Sequence, residues 1–261
     1  MNSSTFRHLQ DVDSTNSEMK RWMGVCPDLQ SFSFVSADFQ SSGRGQVGNT
    51  WESERNANLL ASILYRPKYE MHVRHQFNIS MAAALAVKST VEHFLNISPE
   101  RIKVKWPNDV YVDNRKICGI LIENSLAGAN IAYSIIGIGL NINQEKFVSN
   151  APNPVSMFQI SNEKININEV SIFLQRSFCQ LASEIEQDIN QVHSKYINAL
   201  FRADGEMHEW ALPDGSHFEA KIIDTLSTGH LILEDSSKSQ KQFAFKEVSH
   251  VIALSDSNLL T

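Results

Sequence analysis

Cysteine is scarce and unpatterned in this chain of 261 residues. Cys26, Cys118 and Cys179 are odd in number, widely spaced and form no CxxC pair. That argues against a disulfide framework or a zinc site and predicts reduced, buried thiols. Long apolar runs are lacking too. Met1 to Leu9 holds nothing like a signal peptide, and no stretch reaches the length needed to span a bilayer. There is no basic excess: 23 Lys and Arg stand against 29 Asp and Glu, for a net charge of -6. Wholesale nucleic-acid binding is therefore not expected, although an acidic chain can still hold a local basic pocket for phosphate. Internal repeats and low-complexity tracts are also missing. The hydrophobic fraction is 42%, ordinary for a globular chain of this length, which has room for one large domain with a small one attached. These properties suit a cytoplasmic enzyme without a membrane segment.

Periodicity divides the chain in two. Ser31–Phe39 and Asn58–Tyr65 have strand character, with Phe32, Phe34 and Val35 as inward candidates. Arg74–Leu95 carries a broad apolar helical face interrupted at Lys88. Ile102, Val104 and Trp106 alternate as in a half-buried strand. Val110–Val112 and Lys116–Glu123 are two strands joined by a tight turn at Asp113-Asn114. Ile131–Asn143 is a β-branched run, and 168–201 is a second helical region. After Asp204 the texture changes to short strand-like pieces at 208–212, 218–225, 230–234, 242–245 and 249–254, punctuated by Pro213-Asp214-Gly215 and Thr228-Gly229. The expected architecture is α+β: a larger mixed domain over 1–204 and a small all-β barrel over 205–261.

Gly43-Arg44-Gly45-Gln46-Val47-Gly48 matches G-x-G-x-x-G. A dinucleotide-binding turn needs a helix after it, and Asn49–Asn56 has no helical apolar stripe. A P-loop reading fails as well, because Asn49-Thr50 stands where Lys-Ser/Thr is required. Two readings remain. The glycines serve only turns in a surface loop, or they let backbone N–H groups approach an anion that Arg44 also holds.

Lys103-Val104-Lys105-Trp106-Pro107-Asn108-Asp109 puts two lysines on one strand face. It ends at a proline and continues into a turn with two oxygen-bearing side chains. Such a set suits phosphates and magnesium. On these residues alone, a solvated lysine face with a polar turn is the simpler reading. Arg115-Lys116 then leads into Ile117–Glu123, apolar on both faces, where a lysine needs a counter-charge or a ligand. Gly119 inside that strand, and Gly137 and Gly139 before Asn141 and Asn143, suggest close approach of a ligand or another backbone. Three such features in one domain favour a common pocket.

In this order, these segments resemble the biotin–protein ligase family over most of the chain, from about Asp11 to the C-terminus. The residues that carry the resemblance are Ser14-Thr15-Asn16, Ala37–Gln40, Gly43–Gly45 with Gly48 and Trp51, Lys105–Asp109, Arg115-Lys116, Gly119–Leu121 and Gly137–Asn141. The resemblance implies a mixed-sheet biotin/lipoyl-ligase-type catalytic domain with an SH3-like C-terminal barrel. It also implies an ATP-dependent ligase that forms biotinyl-5'-AMP and transfers biotin to a lysine of a biotin carboxyl carrier protein or domain.

Implied with it are a set of residue roles. Ser14, Thr15, Asn16 and Gln40 hold biotin's ureido end, with Gly43, Gly45 and Gly119 lending backbone. Arg44, Lys105 and Lys116 are the catalytic cations, Lys116 foremost, with Arg44 and Lys116 also touching biotin. Trp51 stacks on adenine, and Lys105, Asn108 and Asn141 contact the nucleotide. ATP and biotin are substrates, and Mg2+ is carried by ATP, near Asn108 and Asp109. Many members read GRGR-x-GR-x-W, whereas Gln46 and Asn49 replace two of those arginines here, with Val47 between them. The Ser-Thr-Asn motif begins at residue 14, leaving no room for the DNA-binding domain of some members, so neither DNA nor membrane is an expected partner. The rivals are a lipoate–protein ligase, whose apolar dithiolane suits the polar Ser14–Gln40 set less well, and a non-catalytic biotin-binding protein, which would need no cluster of cations. A generic nucleotide-binding module is the fallback.

Overall fold

In the computed structural model, which describes residues 5–46, 50–149 and 153–251, the chain alternates strands and helices before turning all-β. The order is β1 (Phe6–Val12), α1 (Thr15–Val25), β2 (Phe34–Gln40), β3 (Leu59–Tyr65), α2 (Phe77–Leu95), β4 (Ile102–Lys105), β5 (Asp109–Val112), β6 (Arg115–Ala127) and β7 (Asn130–Leu140). Then come α3 (Met157–Ser161), α4 (Ile167–Gln187), α5 (Ile189–Ala199), β8 (His208–Ala211), β9 (His217–Thr225), β10 (Leu231–Asp235), β11 (Gln240–Phe243) and β12 (Ser249–His250). The first seven strands form one sheet in the order β1-β2-β3-β7-β6-β5-β4, and the last five form a second in the order β11-β10-β9-β8-β12. β1 and β2 run parallel while every other pair is antiparallel, so the large sheet is mixed and the fold is α+β.

β3 is buried at all seven positions because both faces of the large sheet are covered there. Leu59, Ala61, Ile63 and Tyr65 join the main core with α2, α4 and α5, whereas Leu64 packs under α1 with Met19, Val35 and Ile135. α2 contributes Ala82, Ala83, Ala84 and Ala86 to that core. Such small side chains let a helix lie close to the sheet. It stops at Asn96, which takes the left-handed conformation at φ 49°.

The expected helix from Arg74 thus begins at Phe77, after a single 3-10 turn at Val73–His75. The expected strand from Ser31 begins at Phe34, because Phe32 has φ 68° and cannot extend the ladder. The single helical region over 168–201 is two helices: Asp188 leaves helical geometry, ends α4, and accepts from Asn190 and Gln191 N–H as the cap of α5. β1, α1 and α3 were not anticipated from sequence. The thiols are free, but only Cys118 is fully buried, Cys26 and Cys179 being half-exposed.

The second sheet shares the main core. Trp210, Ile222, Leu231 and Leu233 belong to the same cluster as α2 and β4. Trp106 Nε1 donates to the Gly229 carbonyl at 3.0 Å, and an Arg202 guanidinium nitrogen to the Val251 carbonyl at 2.9 Å. β12 holds two residues, Val251 is outside it, and the remaining positions of the expected strand, to Leu254, lie outside the described residues. No helix among the described residues is long and apolar enough to cross a membrane.

Candidate functional site

Register sets the floor of the site. Lys105 faces Asp109, Asp109 faces Gly119, Gly119 faces Gly139 and Gly139 faces Leu60, so one row of paired residues crosses β4, β5, β6, β7 and β3. Directly opposed residues of antiparallel strands point to the same side. The next row is Leu121, Gly137 and Ser62. That face, the α1 side of the sheet, carries two troughs where glycine leaves out a side chain. A Cβ on Gly139 would stand 2.4 Å from Trp51 Cε2, and one on Gly119 2.8 Å from Trp51 Cζ3, so the indole lies in the first trough. A Cβ on Gly137 would stand 2.5 Å from Asn16 Oδ1, so the carboxamide fills the second.

Above the floor lies a cavity of 340 Å³, near the lower end of the range of small-molecule sites. Ser14, Thr15, Asn16 and Gln40 line one part of it, and Arg44, Gly45 and Trp51 another. Lys105, Asn108, Asp109, Lys116 and Gly119 line a third part. The three cations identified from sequence therefore face one space rather than three patches of solvent. Gly43 and Asn141 lie apart from it. Gly43 accepts from Trp51 N–H at 3.0 Å. Asn141 is 2% exposed and donates to the Val155 carbonyl at 3.1 Å. Val47, Gly48 and Asn49 of the glycine loop lie outside the described residues. No helix follows that loop: Trp51–Asn58 is irregular up to β3, as its lack of an apolar stripe implied.

The polar end is rigidly wired. Ser62 Oγ lies 2.8 Å from Thr15 Oγ1 and donates to Asn16 Oδ1 at 2.6 Å. Thr15 N–H donates to Gln40 Oε1 at 2.7 Å, and Asn16 Nδ2 to Glu123 Oε2 at 2.9 Å. Buried polar groups require such partners, and a closed network fixes their rotamers. Ser62 had a signal in the sequence, a lone serine in a strand of apolar and aromatic residues. Glu123 had less, because its role depends on Asn16, 107 residues away.

At the cationic end, Lys116 Nζ pairs with Asp109 Oδ2 at 2.7 Å and lies 5.7 Å from the Trp51 ring centroid. Lys105 has its pKa pushed down, first by burial and then by the charges of Lys116 and Arg202, with Asp109 opposing. An anion arriving here would restore the solvation that burial removed. Arg44 bonds Ser17 Oγ at 3.2 Å and reaches Glu123 at 3.8 Å. Its side chain is 48% exposed, so it is free to turn toward a ligand. Asn108 is buried, with its amide nitrogen donating to the Ile120 carbonyl. The far wall comes from Phe245 and Val248, in the turn between β11 and β12, and from His250 of β12, which sequence reasoning did not connect to the site.

Residues 12–141 match the model of the Biotin/lipoate A/B protein ligase family. The chain belongs to that family. Two relatives illustrate the likeness. It is 32% identical over 137 residues to the bifunctional ligase/repressor BirA of Bacillus spizizenii, covering 51% of this chain and 40% of that protein. It is 33% identical over 135 residues to the biotin–acetyl-CoA-carboxylase ligase of Paracoccus denitrificans, covering 51% and 53%. The chain thus spans about half or less of the length of these curated relatives. Among solved structures, biotin protein ligase from Aquifex aeolicus in complex with biotin and ATP superimposes with a TM-score of 0.75 over 95% of this chain and 98% of that one. At 22% identity that likeness is one of fold.

Proposed function

We propose that this chain is an ATP-dependent biotin–protein ligase that makes biotinyl-5'-AMP and transfers biotin to a lysine of a biotin carboxyl carrier protein or domain. One observation carries the reading: a hydrogen-bonded polar cluster (Thr15, Asn16, Gln40) and a set of cations (Arg44, Lys105, Lys116) line the same cavity. The names of the relatives support it. The polar cluster suits the ureido end of biotin, which offers both N–H donors and a carbonyl. The valeryl chain runs over the glycine floor past Trp51, and its carboxylate meets the nucleotide's α-phosphate beside Lys116 and Arg44. Lys105 and Asn108 attend the nucleotide. Asn141, outside the cavity wall, acts through the backbone it braces at Val155.

The biotin carboxylate oxygen attacks the α-phosphorus and pyrophosphate leaves, forming a mixed anhydride. The amine of the carrier lysine then attacks the acyl carbon, and AMP leaves. Two anions must meet in the first step, so the task of the side chains is charge neutralisation and alignment. Asp109 holds Lys116 in place for this. Magnesium arrives on the nucleotide phosphates, beside Asn108 and Asp109. Among the described residues no group of three His, Cys, Asp or Glu gathers as a cage for a resident ion. We also assign residues 1–204 to the catalytic domain and 205–261 to an SH3-like barrel, with the enzyme working in the cytoplasm.

The test is transfer of labelled biotin to a carrier domain with Mg-ATP, together with pyrophosphate release on biotin and on lipoate. Lys116→Ala is expected to slow adenylate formation by about a hundred- to a thousandfold, with the thermal transition retained. Wild-type pyrophosphate release by that variant, or release on lipoate but not biotin, overturns the assignment.

A further inference from the structure

Among the described residues, His250 and Lys246 are the titratable side chains that the C-terminal segment brings to the cavity wall. His250 sits on β12 opposite Trp210 of β8. Its ring lies 4.1 Å from the Trp210 ring at 36°, and meets Phe201 edge-on at 5.4 Å. The residue is 9% exposed, and neither ring nitrogen has a hydrogen-bond partner among the described residues. A buried imidazole normally has at least one nitrogen satisfied. Here the ring packs at a tilt against Trp210, with both nitrogens unpaired and closed to solvent.

Burial, then the charges of Lys105, Arg202 and His208, push its pKa down to about 3. The ring is therefore neutral under working conditions, with one N–H donor and one lone pair. A group that holds a proton only in strong acid is a poor base for an amine. It remains a good hydrogen-bond donor, and its place beside Lys105 selects an anion.

Position says which anion. Ser62, at the polar end, is on β3, while Lys105 is on β4, four strands away. At about 4.8 Å per strand, that is roughly 19 Å. With biotin's ring at the β3 side and the reacting α-phosphate at Lys116 of β6, what lies beyond, toward β4, is the rest of the phosphate chain. We propose that, as the cavity wall adjusts to the nucleotide, the His250 ring turns one N–H into the cavity and donates it to the β- or γ-phosphate. The second sheet then grips the leaving group of the first half-reaction. The inference rests on the ligase reading for the direction in which the nucleotide lies.

Calorimetric titration of the full chain with ATP and, separately, AMP tests it, since AMP lacks the tail. His250→Phe keeps a ring against Trp210 and removes the donor, and His250→Asn restores an N–H. The Phe variant is expected to bind ATP about tenfold more weakly, as for one lost hydrogen bond to a charged group. AMP binding should be unchanged, and the Asn variant should recover much of the loss. If the Phe variant does not fold, His250→Leu carries the same comparison. Unchanged ATP affinity, or equal loss for ATP and AMP, overturns the proposal. A wild-type chain that does not bind ATP overturns it too. Biotinyl-adenylate formation by the wild type is measured alongside. A chain that binds ATP through His250 but makes no adenylate refutes the ligase reading and not this contact.

Discussion

The substitution Gly139→Ala adds a single methyl group to the centre of the cavity floor. Gly139 does not have a positive φ, so alanine is compatible with the backbone and the whole effect comes from contact. The added Cβ would stand 2.4 Å from Trp51 Cε2, 2.6 Å from Nε1 and 2.8 Å from Cζ2, where ordinary contact begins at 3.4 Å. The indole must retreat by about 1 Å, or leave the trough. Retreat is resisted at the main chain, because the Trp51 backbone N–H is tied to the Gly43 carbonyl. Overpacking of this kind costs about 1–3 kcal/mol. Full expulsion of a half-buried indole exposes on the order of 100 Å², or about 2.5 kcal/mol. The two routes agree, and for a chain of this length they correspond to a fall in Tm of roughly 2–5 °C.

Function should suffer more than stability. Trp51 and Lys116 are neighbours across that trough, and a 1 Å misplacement near the reacting atoms costs roughly a hundredfold. Pyrophosphate release as a function of ATP, with a thermal melt of the same sample, measures both. Gly24→Ala is the control: Gly24 lies within α1, and a Cβ there meets nothing within 4 Å. The expected outcome there is a gain of about 0.5–1 kcal/mol with unchanged activity. If Gly139→Ala melts and turns over like the wild type, Trp51 does not lie in the trough and the account of the floor fails.

Two further outcomes follow from the same geometry. Gly137→Ala drives a Cβ to 2.5 Å from Asn16 Oδ1, which accepts from Ser62. Loss of that bond should raise the KM for biotin about tenfold with a smaller effect on that for ATP, and steady-state kinetics with either substrate varied would expose the opposite pattern. His250 makes stability depend on pH. Its folded pKa of about 3 lies below the ordinary 6.5, so the unfolded chain takes up the proton first. Stability is full above pH 6.5 and declines as pH falls toward 3, by about 2 kcal/mol at pH 5. Urea titrations at pH 7 and pH 5 should show a smaller difference between these pH values for His250→Phe than for the wild type. Equal differences would mean that the imidazole is not desolvated.

Much of this was legible in the residues. The alternation through Ile102, Val104 and Trp106 announces β4, and its opposite phase puts Lys105 on the cavity side, as observed. The apolar stripe after Phe77 gives α2, and Asp113-Asn114 makes the β5–β6 turn with Asp113 at φ 55°. Local chemistry suffices for each of these. α1 was missed because its stripe is weak: Met19 is fully buried, yet Glu18 and Asn16 are buried with it. Those two are inside because they pair with Arg21 and Glu123, contacts that no periodicity encodes.

The site itself depends on register, which is a property of pairs of strands. Lys105, Asp109, Gly119 and Gly139 spread over 35 residues, and no spacing rule in one dimension sets them in line. They form a row because the β4–β5, β5–β6 and β6–β7 hairpins close in register on the cavity face. A slip of one residue in any hairpin would turn the following strands over and send the glycines to the core face. β6 already carries a register shift, at Val110/Tyr111 against β5, and there Lys116 pairs with Tyr111. That irregularity matters, because strict alternation from Gly119 would put Lys116 on the opposite face of the sheet. The bulge returns Lys116 to the side of Asp109, 2.7 Å away. A lysine entering an apolar strand demands a counter-charge, and that much is legible in the residues. The bulge that turns the lysine to meet it is not written in any local pattern.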